Sequence, residues 1–307
     1  MGAGAVGSLL GAQLQAAGHE VQFWVRPERR APRVQRTLQR VNGPALQLEA
    51  AFLGPGDAVP DCDWVFVCVR GEQLDTALQQ VAAQLGAAGD LAISAVSDEN
   101  VLVRARRHGL TGTVLAHGVS FGAWRDPAEP ARFFWFPFAL PNVLSAEGER
   151  ASLPRARELA RALSLAGSPT RALGSARAFS SWMVALSGPF IAGWDLCGFA
   201  LERLAREPAT RRLTARAMAE AIAAQPRSGI MTLARWVPIW AYALLLRALP
   251  YVIGRSGREV WLHHGPKIRD QTRYSLQLAQ RSAAQSGSPA PALDALAQRF
   301  ERERPLR

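Results

Sequence analysis

The sequence predicts an α/β protein in which a doubly wound parallel sheet is followed by an all-helical second domain. Three observations predict it. A glycine-rich motif begins at residue 2, short apolar strands alternate with helices up to about residue 120, and helical periodicity dominates from residue 169 onward. Strands alternating with helices of ordinary length are typical of parallel sheets. We therefore expect two domains, residues 1–168 and residues 169–307.

The N-terminal motif GAGAVG spells G-x-G-x-x-G with Gly2, Gly4 and Gly7. In this motif the glycines allow a tight turn and a close approach to a pyrophosphate, and the following helix supplies free N–H groups. Residues 8–17 have a helical pattern that ends at Gly18, and residues 19–26 alternate as a strand does. The first domain is therefore predicted to be Rossmann-type, with the cofactor-binding residues Gly2, Gly4, Ala5, Val6 and Gly7. The alternative is a glycine- and alanine-rich N-terminus without a ligand.

The strand that normally precedes this motif is cut short, because only Met1 comes before Gly2. A typical strand has about five residues. The missing residues would bury about three large aliphatic side chains at the centre of the sheet, and each would stabilise the fold by roughly 1.5–3 kcal/mol. A start codon farther upstream is the simpler expectation, and mass spectrometry of the native N-terminus tests it.

Arg26 ends the second strand, where an acidic residue would bind the ribose 2′-hydroxyl of NAD and an arginine accommodates the 2′-phosphate of NADP. Arg29 and Arg30 follow closely. We therefore expect NADP as the cofactor. The alternative is an exposed basic loop.

The remaining elements follow from apolar patterning. The first domain continues with strands at 63–69, 91–96 and 113–116, helices at 74–85 and 101–108, an aromatic strand or hairpin edge at 132–140, and a helix at 151–166. The second domain is predicted to contain helices at 179–204, 210–224, 230–253 and 268–284.

The formal net charge of +11 would suit a nucleic-acid partner, but the arginines are scattered, which favours a solvated surface. We expect a small-molecule partner and no nucleic acid. Three separated cysteines without a C-x-x-C indicate a reducing, cytoplasmic location and no structural metal. Residues 237–253 are too few for a membrane span of about 20 residues. They predict a buried or interfacial helix.

Several of these features together resemble the ketopantoate reductase (2-dehydropantoate 2-reductase) family. After the glycines and Arg26, residues 69–73 look like the family's Val-Lys-x-x-Gln, with Arg70 in place of lysine and Gln73 kept. Trp182 resembles the tryptophan of its Trp-x-Lys segment, Met218-Ala219-Glu220 its Met-x-Glu helix, and residues 287–291 its late Gly-x-x-x-Pro turn.

The resemblance implies a Rossmann domain and a helical domain that bind NADPH and reduce a small 2-keto acid at the interdomain cleft. Hydride passes from the nicotinamide to the keto carbon, a lysine polarises and protonates the oxygen, and asparagines and a glutamate orient the reactants. It also adds Arg70 and Gln73 to the expected cofactor-binding residues.

The catalytic positions depart from that pattern. Val184 occupies the lysine position, and the following asparagines fall near Gly188 and Ala192. The family's Gln-Asn-Gly falls on residues 95–97, and Asn100 matches only a later asparagine of that motif. A divergent member with a changed site is therefore expected.

The candidate catalytic residues are Lys267, His264 and Asn100. Lys267 is the only lysine, so subtracting 1 from 36 basic residues leaves 35 arginines. It lies where Pro266 suits the first turn of a helix. The alternative is a solvated helix-end lysine. His117 ends a strand on the ligand side of such a sheet, with a structural histidine as the favoured alternative.

The tryptophans at 182, 194, 236, 240 and 261 are expected in the core or in subunit contacts of a homodimer, or as walls of an apolar pocket. Three functions compete: an NADP-dependent reductase of a small carbonyl compound, a non-catalytic descendant that binds a nucleotide or a partner, and a nucleic-acid binder.

Overall fold

The structure, a computed structural model, describes residues 1–58, 61–86, 89–94, 101–138, 140–175, 177–225, 236–252, 261–262 and 265–305. The chain divides into two compact units, residues 1–176 and residues 177–307. The sequence places a boundary at residue 168. A strand at Thr170–Leu173 lies between the two positions and pairs with a strand of the first unit.

The described strands all lie in the first unit. They are β1 (Phe23–Trp24), β2 (Ala31–Arg40), β3 (Ala45–Leu53), β4 (Val65–Val67), β5 (Leu91–Ile93), β6 (Val114–Gly118), β7 (Phe121–Arg125), β8 (Arg132–Pro137), β9 (Asn142–Ser145) and β10 (Thr170–Leu173). The helices of this unit are α1 (Ala5–Ala16), α2 (Leu74–Leu85), α3 (Val101–Arg107) and α4 (Leu153–Leu165).

Within the described residues these strands form two five-stranded sheets, in the orders β1-β3-β2-β8-β7 and β10-β9-β6-β5-β4. The predicted α/β class with parallel strands is confirmed. The structure adds three antiparallel pairs to the parallel ones, since β2 pairs antiparallel with β3, β7 with β8, and β6 with β9. Short connections, such as residues 41–44 between β2 and β3, allow only antiparallel neighbours.

Met1 and Gly2 lie between the edge strands of the two sheets. The Met1 nitrogen donates to the Phe66 carbonyl at 2.6 Å, and the Cys68 N–H donates to the Met1 carbonyl at 2.9 Å. On the other side, the Gly2 N–H donates to the Trp24 carbonyl at 3.3 Å. These three bonds connect β1 and β4 at the position of the expected first strand.

The first unit is doubly wound, with helices on both faces of the sheet around β5 and β6. Side chains of α1 and α4 pack in one apolar cluster with Ala92 and Leu115. Those of α2 and α3 pack in another with Leu91, Ile93 and Val114. Because successive side chains of a strand point to opposite faces, these short strands bury both faces.

Strands β2 and β3 follow the basic residues Arg26, Arg29 and Arg30, for which an exposed loop was the alternative expectation. Arg29 ends an exposed 3-10 turn, but residues 31–40 form a strand that pairs with both β3 and β8. Leu38 and Leu48 are fully buried on this pair. The strand was not predicted from the sequence, because Arg33, Arg36 and Arg40 interrupt its apolar pattern.

The second unit is helical in its described residues. Its helices are α5 (Arg177–Leu196), α6 (Leu201–Arg206), α7 (Pro208–Ala223), α8 (Ile239–Val252), α9 (Arg269–Ser286) and α10 (Pro291–Glu303). The single helix expected over 179–204 is broken, because Gly198 and Phe199 have φ of +68° and +58°. Two consecutive left-handed residues end a right-handed helix.

Helix α8 is apolar on both its inner and outer faces. Tyr242 and Leu246 are buried in the core of the second unit, while Trp240 and Leu244 are 67% and 57% exposed. Tyr251 continues the exposed stripe, and Trp236 lies just before the helix with 83% exposure. No helix among the described residues is long and apolar enough to cross a membrane.

Candidate functional site

Gly2 and Gly7 are required by close backbone contacts at the start of α1. Gly2 has a φ of +93°, and a Cβ there would collide with the Cys68 carbonyl. A Cβ on Gly7 would collide with the Gly2 carbonyl. These two glycines form the tight turn and the close helix packing that the motif needs.

Gly4 has a different environment, because no atom lies within 4 Å of the Cβ position it leaves empty. It is the N-cap of α1, and the Ser8 N–H donates to its carbonyl at 2.9 Å. The first turn, which contains Ala5 and Val6, carries no acidic side chain. An open approach to the free N–H groups of a helix N-terminus is the geometry that a phosphate group fits.

The structure brings two further predicted segments to this glycine loop. Arg26 follows β1, and the Gly2 N–H donates to the carbonyl of Trp24 in that strand. The Arg26 side chain is exposed. Arg70 and Gln73 bound a 3-10 turn just after Cys68, whose carbonyl lies against Gly2. Arg70 is exposed and Gln73 is half-buried. Gly2, Gly4, Ala5, Val6, Gly7, Arg26, Arg70 and Gln73 therefore belong to segments that meet at one place.

Arg36 of β2 also reaches the glycine loop, although it was not among the residues predicted for the site. Its Nη1 donates to the Ala3 carbonyl at 2.7 Å and to the Ser8 hydroxyl. Its Cζ lies 4.7 Å from the ring centre of Phe52 and 5.0 Å from that of Phe133. Burial lowers its pKa to about 10, with Arg125 and Arg29 adding in the same direction.

His117 is buried at the end of β6, which agrees only in part with a satisfied structural histidine. Its Nδ1 lies 2.8 Å from the Ser94 hydroxyl, but no partner within the described part of the chain meets its buried Nε2. Burial lowers the pKa of His117 to about 4. The imidazole is therefore neutral at pH 7.

The predicted catalytic residues belong to parts of the chain whose side chains the structure does not describe. Asn100 and His264 lie outside the described residues. Lys267 belongs to a 3-10 turn at Gly265–Ile268, and Val184 belongs to α5; the structure describes the backbone of both and not their side chains. A Cβ on Gly265 would collide with the Phe199 ring, so the segment leading to Lys267 packs closely on the core.

Glu220, from one of the weaker motif matches, contacts the helix that follows another of them in the second unit. The Glu220 carboxylate accepts the Leu293 N–H at 2.8 Å, at the start of α10. That helix follows the turn at residues 287–291, in which Gly287 is the left-handed cap of α9. Glu220 thus caps a helix, which is a structural role for this residue type.

Sequence reasoning missed the roles of Arg36 and Ser94. For Arg36 a signal exists, since its spacing of two residues from Val34 and from Leu38 places it on the strand face that carries Leu38 into the core. Ser94 directly follows β5 and shows no comparable signal. Its importance depends on His117, which lies 23 residues later.

Comparison with known proteins agrees with this geometry. The family model described as ketopantoate reductase PanE/ApbA matches residues 1–93. Comparison with curated proteins gives no match.

Among solved structures, the chain is similar to a PanE/ApbA family ketopantoate reductase from Ralstonia eutropha JMP134, with 19% identity, a TM-score of 0.71 and coverage of 98% of this chain and 96% of that one. A dimeric ketopantoate reductase from Staphylococcus aureus gives 12% identity, a TM-score of 0.70 and the same coverages. D-mandelate dehydrogenase, solved with NADH and anilino(oxo)acetate, has 14% identity to this chain and a TM-score of 0.66, with the same coverages.

At these identities the solved structures show a shared fold. The similarity in sequence is the family-model match over residues 1–93. That range includes the glycine loop, Arg26, Arg36, Arg70 and Gln73. Residues 1–93 are similar to the ketopantoate reductase PanE/ApbA family model, and the whole chain shares the fold of solved ketopantoate reductases.

Proposed function

We propose that this protein is an NADP-dependent oxidoreductase that reduces a small 2-keto acid or a related carbonyl compound. The observation that carries the proposal is the glycine loop. Two of its glycines are closed by backbone contacts, and the third, Gly4, leaves open space at the N-terminus of α1. A dinucleotide pyrophosphate is the ligand that this combination suits.

The choice of NADP over NAD rests on the end of β1. Arg26 and Arg29 are exposed there, and neither has a carboxylate partner among the described residues. Glu28 lies between them as the acidic residue of the same turn. Two guanidinium groups favour a 2′-phosphate, whereas a single ribose hydroxyl needs an acceptor.

Bound NADPH would supply the hydride, and the protein must supply a proton to the carbonyl oxygen. We propose Lys267 or His264 as the donor, because Val184 cannot act as an acid, and Asn100 as the residue that orients a reactant. His117 is a poor acid, since its lowered pKa of about 4 leaves it neutral at pH 7. This assignment extends the family's chemistry to a chain whose usual lysine position holds valine.

Fluorescence titration with NADPH and NADH tests cofactor binding in the full chain. We expect NADPH to bind below the millimolar range and more tightly than NADH. Arg26→Met should weaken NADPH and leave NADH unchanged, with Arg157→Met, an arginine on helix α4, as the control. Absence of NADPH binding would overturn the proposed function.

A panel of 2-keto acids, followed by NADPH oxidation, tests catalysis. Lys267→Ala and His264→Ala should each be compared with the wild type, and the donor is the residue whose loss lowers kcat with little change in KM. Binding without turnover on any carbonyl would instead support the non-catalytic alternative.

We also propose a homodimer in which the exposed stripe of α8 meets a second copy of the chain. Large exposed apolar patches mark interaction sites, and the S. aureus neighbour is described as dimeric. Light scattering should give twice the chain mass, and Trp240→Glu should give a monomer. Leu165→Glu is the control, because that leucine is 77% exposed in the other unit. A monomeric wild type would contradict the proposal.

A further inference from the structure

Arg36 differs from its neighbours on β2 in where its charge lies. Its guanidinium is half-buried beside the first turn of α1, while Arg33 on the same strand is exposed and pairs with Glu49 at 2.6 Å. We infer that Arg36 is a positioning residue of the nucleotide site: it fixes the glycine loop through Ala3 and Ser8 and holds a positive charge where the ligand's phosphates bind. This inference rests on the proposed function.

The hydrogen bonds of Arg36 explain how it would position the loop. Ala3 lies between the glycines at 2 and 4, and Ser8 lies on the first turn of the helix that follows. One nitrogen, Nη1, donates to both residues. One nitrogen thus ties the loop to its helix, which leaves the other nitrogens of the guanidinium for a further acceptor.

The rest of the guanidinium is available to a ligand. In the described part of the chain, Nε and Nη2 of Arg36 donate no hydrogen bond, and no carboxylate lies within ion-pair distance. The rings of Phe52 and Phe133, both buried, contact its carbon atom through cation–π interactions. They orient the charge without neutralising it.

An uncompensated half-buried charge is unfavourable for folding alone. Arg125 and Arg29 raise the local positive potential further, and both contribute to the lowered pKa of Arg36. A phosphate group at the N-terminus of α1 would accept the free donors and balance these charges. The arrangement therefore suits a phosphate-bearing ligand of either type, with or without a 2′-phosphate.

The experiment compares dissociation constants for NADPH and NADH in four proteins: wild type, Arg36→Met, Arg36→Lys and Arg33→Met. We expect Arg36→Met to weaken both nucleotides by the same factor, about tenfold. Arg36→Lys should recover part of that loss because it keeps the charge. Arg33→Met should match the wild type. Arg26→Met provides the contrast, since it should weaken NADPH alone.

Urea unfolding without nucleotide separates this role from a purely structural one. If Arg36→Met is too unstable to titrate, Arg36→Lys and a salt series on the wild type carry the test, and both affinities should fall as salt rises. Unchanged affinity in a folded Arg36→Met or Arg36→Lys, or a loss confined to NADPH, would overturn the inference. A wild type that binds neither nucleotide would overturn the proposed function as well.

Discussion

Arg269 donates from Nε and Nη2 to the two carboxylate oxygens of Asp195, at 2.7 and 2.9 Å. Arg304 donates to the same carboxylate at 2.9 Å and to the Asp195 carbonyl at 2.8 Å. Asp195 is 1% exposed. One buried carboxylate thus joins the end of α5, the start of α9 next to Lys267, and the end of α10.

Replacing Asp195 with asparagine should lower the free energy of unfolding by about 2–3 kcal/mol, because two partly buried guanidinium groups lose their counter-charge. Urea unfolding measures it. Glu303→Gln removes an exposed pair with Arg299 and should change stability by less than about 0.5 kcal/mol. Equal effects of the two variants would show that Asp195 acts as an ordinary surface charge.

Alanine at Gly4 and at Gly7 should affect different properties. Gly4→Ala has free space around the new Cβ, so we expect a stability change of a few tenths of a kcal/mol and about tenfold weaker dinucleotide binding. Gly7→Ala forces the Gly2 backbone to move and should cost about 1–3 kcal/mol. Thermal unfolding and NADPH titration measure the two effects. A destabilised Gly4→Ala variant with unchanged NADPH affinity would contradict the open space that we assign to the ligand at Gly4.

Glu220 should contribute to stability and not to turnover. Glu220→Ala leaves the Leu293 N–H without its acceptor and should lower the free energy of unfolding by about 1 kcal/mol. Glu220→Gln keeps an acceptor and should lose less. Both variants should retain the wild-type kcat on any carbonyl that the protein reduces, and a stable Glu220→Ala with a lowered kcat would assign the residue to the reaction.

His117 should make the protein less stable as the pH falls from 6.5 to about 4. The unfolded chain binds a proton near pH 6.5, whereas buried His117 does so only near pH 4, so the unfolded state binds more protons in this window. The loss reaches at most about 3 kcal/mol. Carboxylates with lowered pKa values, such as Asp75 at about 2, lose their contribution at lower pH.

Unfolding of wild type and His117→Asn, measured from pH 7 to pH 4.5, checks this expectation. Asparagine can keep the hydrogen bond to Ser94 and does not titrate in this range. The pH dependence should flatten in the variant. If the stability of the two proteins depends on pH in the same way, the pKa of His117 is not lowered in the folded protein.

The apolar pattern within short windows of sequence predicted one helix and three strands of the first unit. Helix α2 has the predicted bounds, 74–85, and β4, β5 and β6 lie inside or next to their predicted ranges. The paired strands β2, β3, β7, β9 and β10 were not predicted. The partner of β2 beyond the hairpin is β8, about 95 residues later, and such long-range pairing leaves little trace in a local pattern.

For the candidate site, the sequence supplied the glycine loop, Arg26 and the Arg70–Gln73 segment, because their motifs carry fixed spacings. For Arg36 the sequence offered only its spacing of two residues from Val34 and Leu38, and residues 31–40 were not predicted to be a strand. Only the pairing of β2 with β3, opposite Leu48, turns that side chain toward Phe52 and the start of α1.

The sequence by itself determined the two-part organisation and the glycine-rich motif, since each depends on residue identity and short spacing. Only the tertiary structure decided which charged side chains are buried at the glycine loop. Whether an arginine is solvated, as Arg33 is, or half-buried beside the glycine loop, as Arg36 is, depends on strand pairing between distant segments. Burial then sets the electrostatic consequence of each charge.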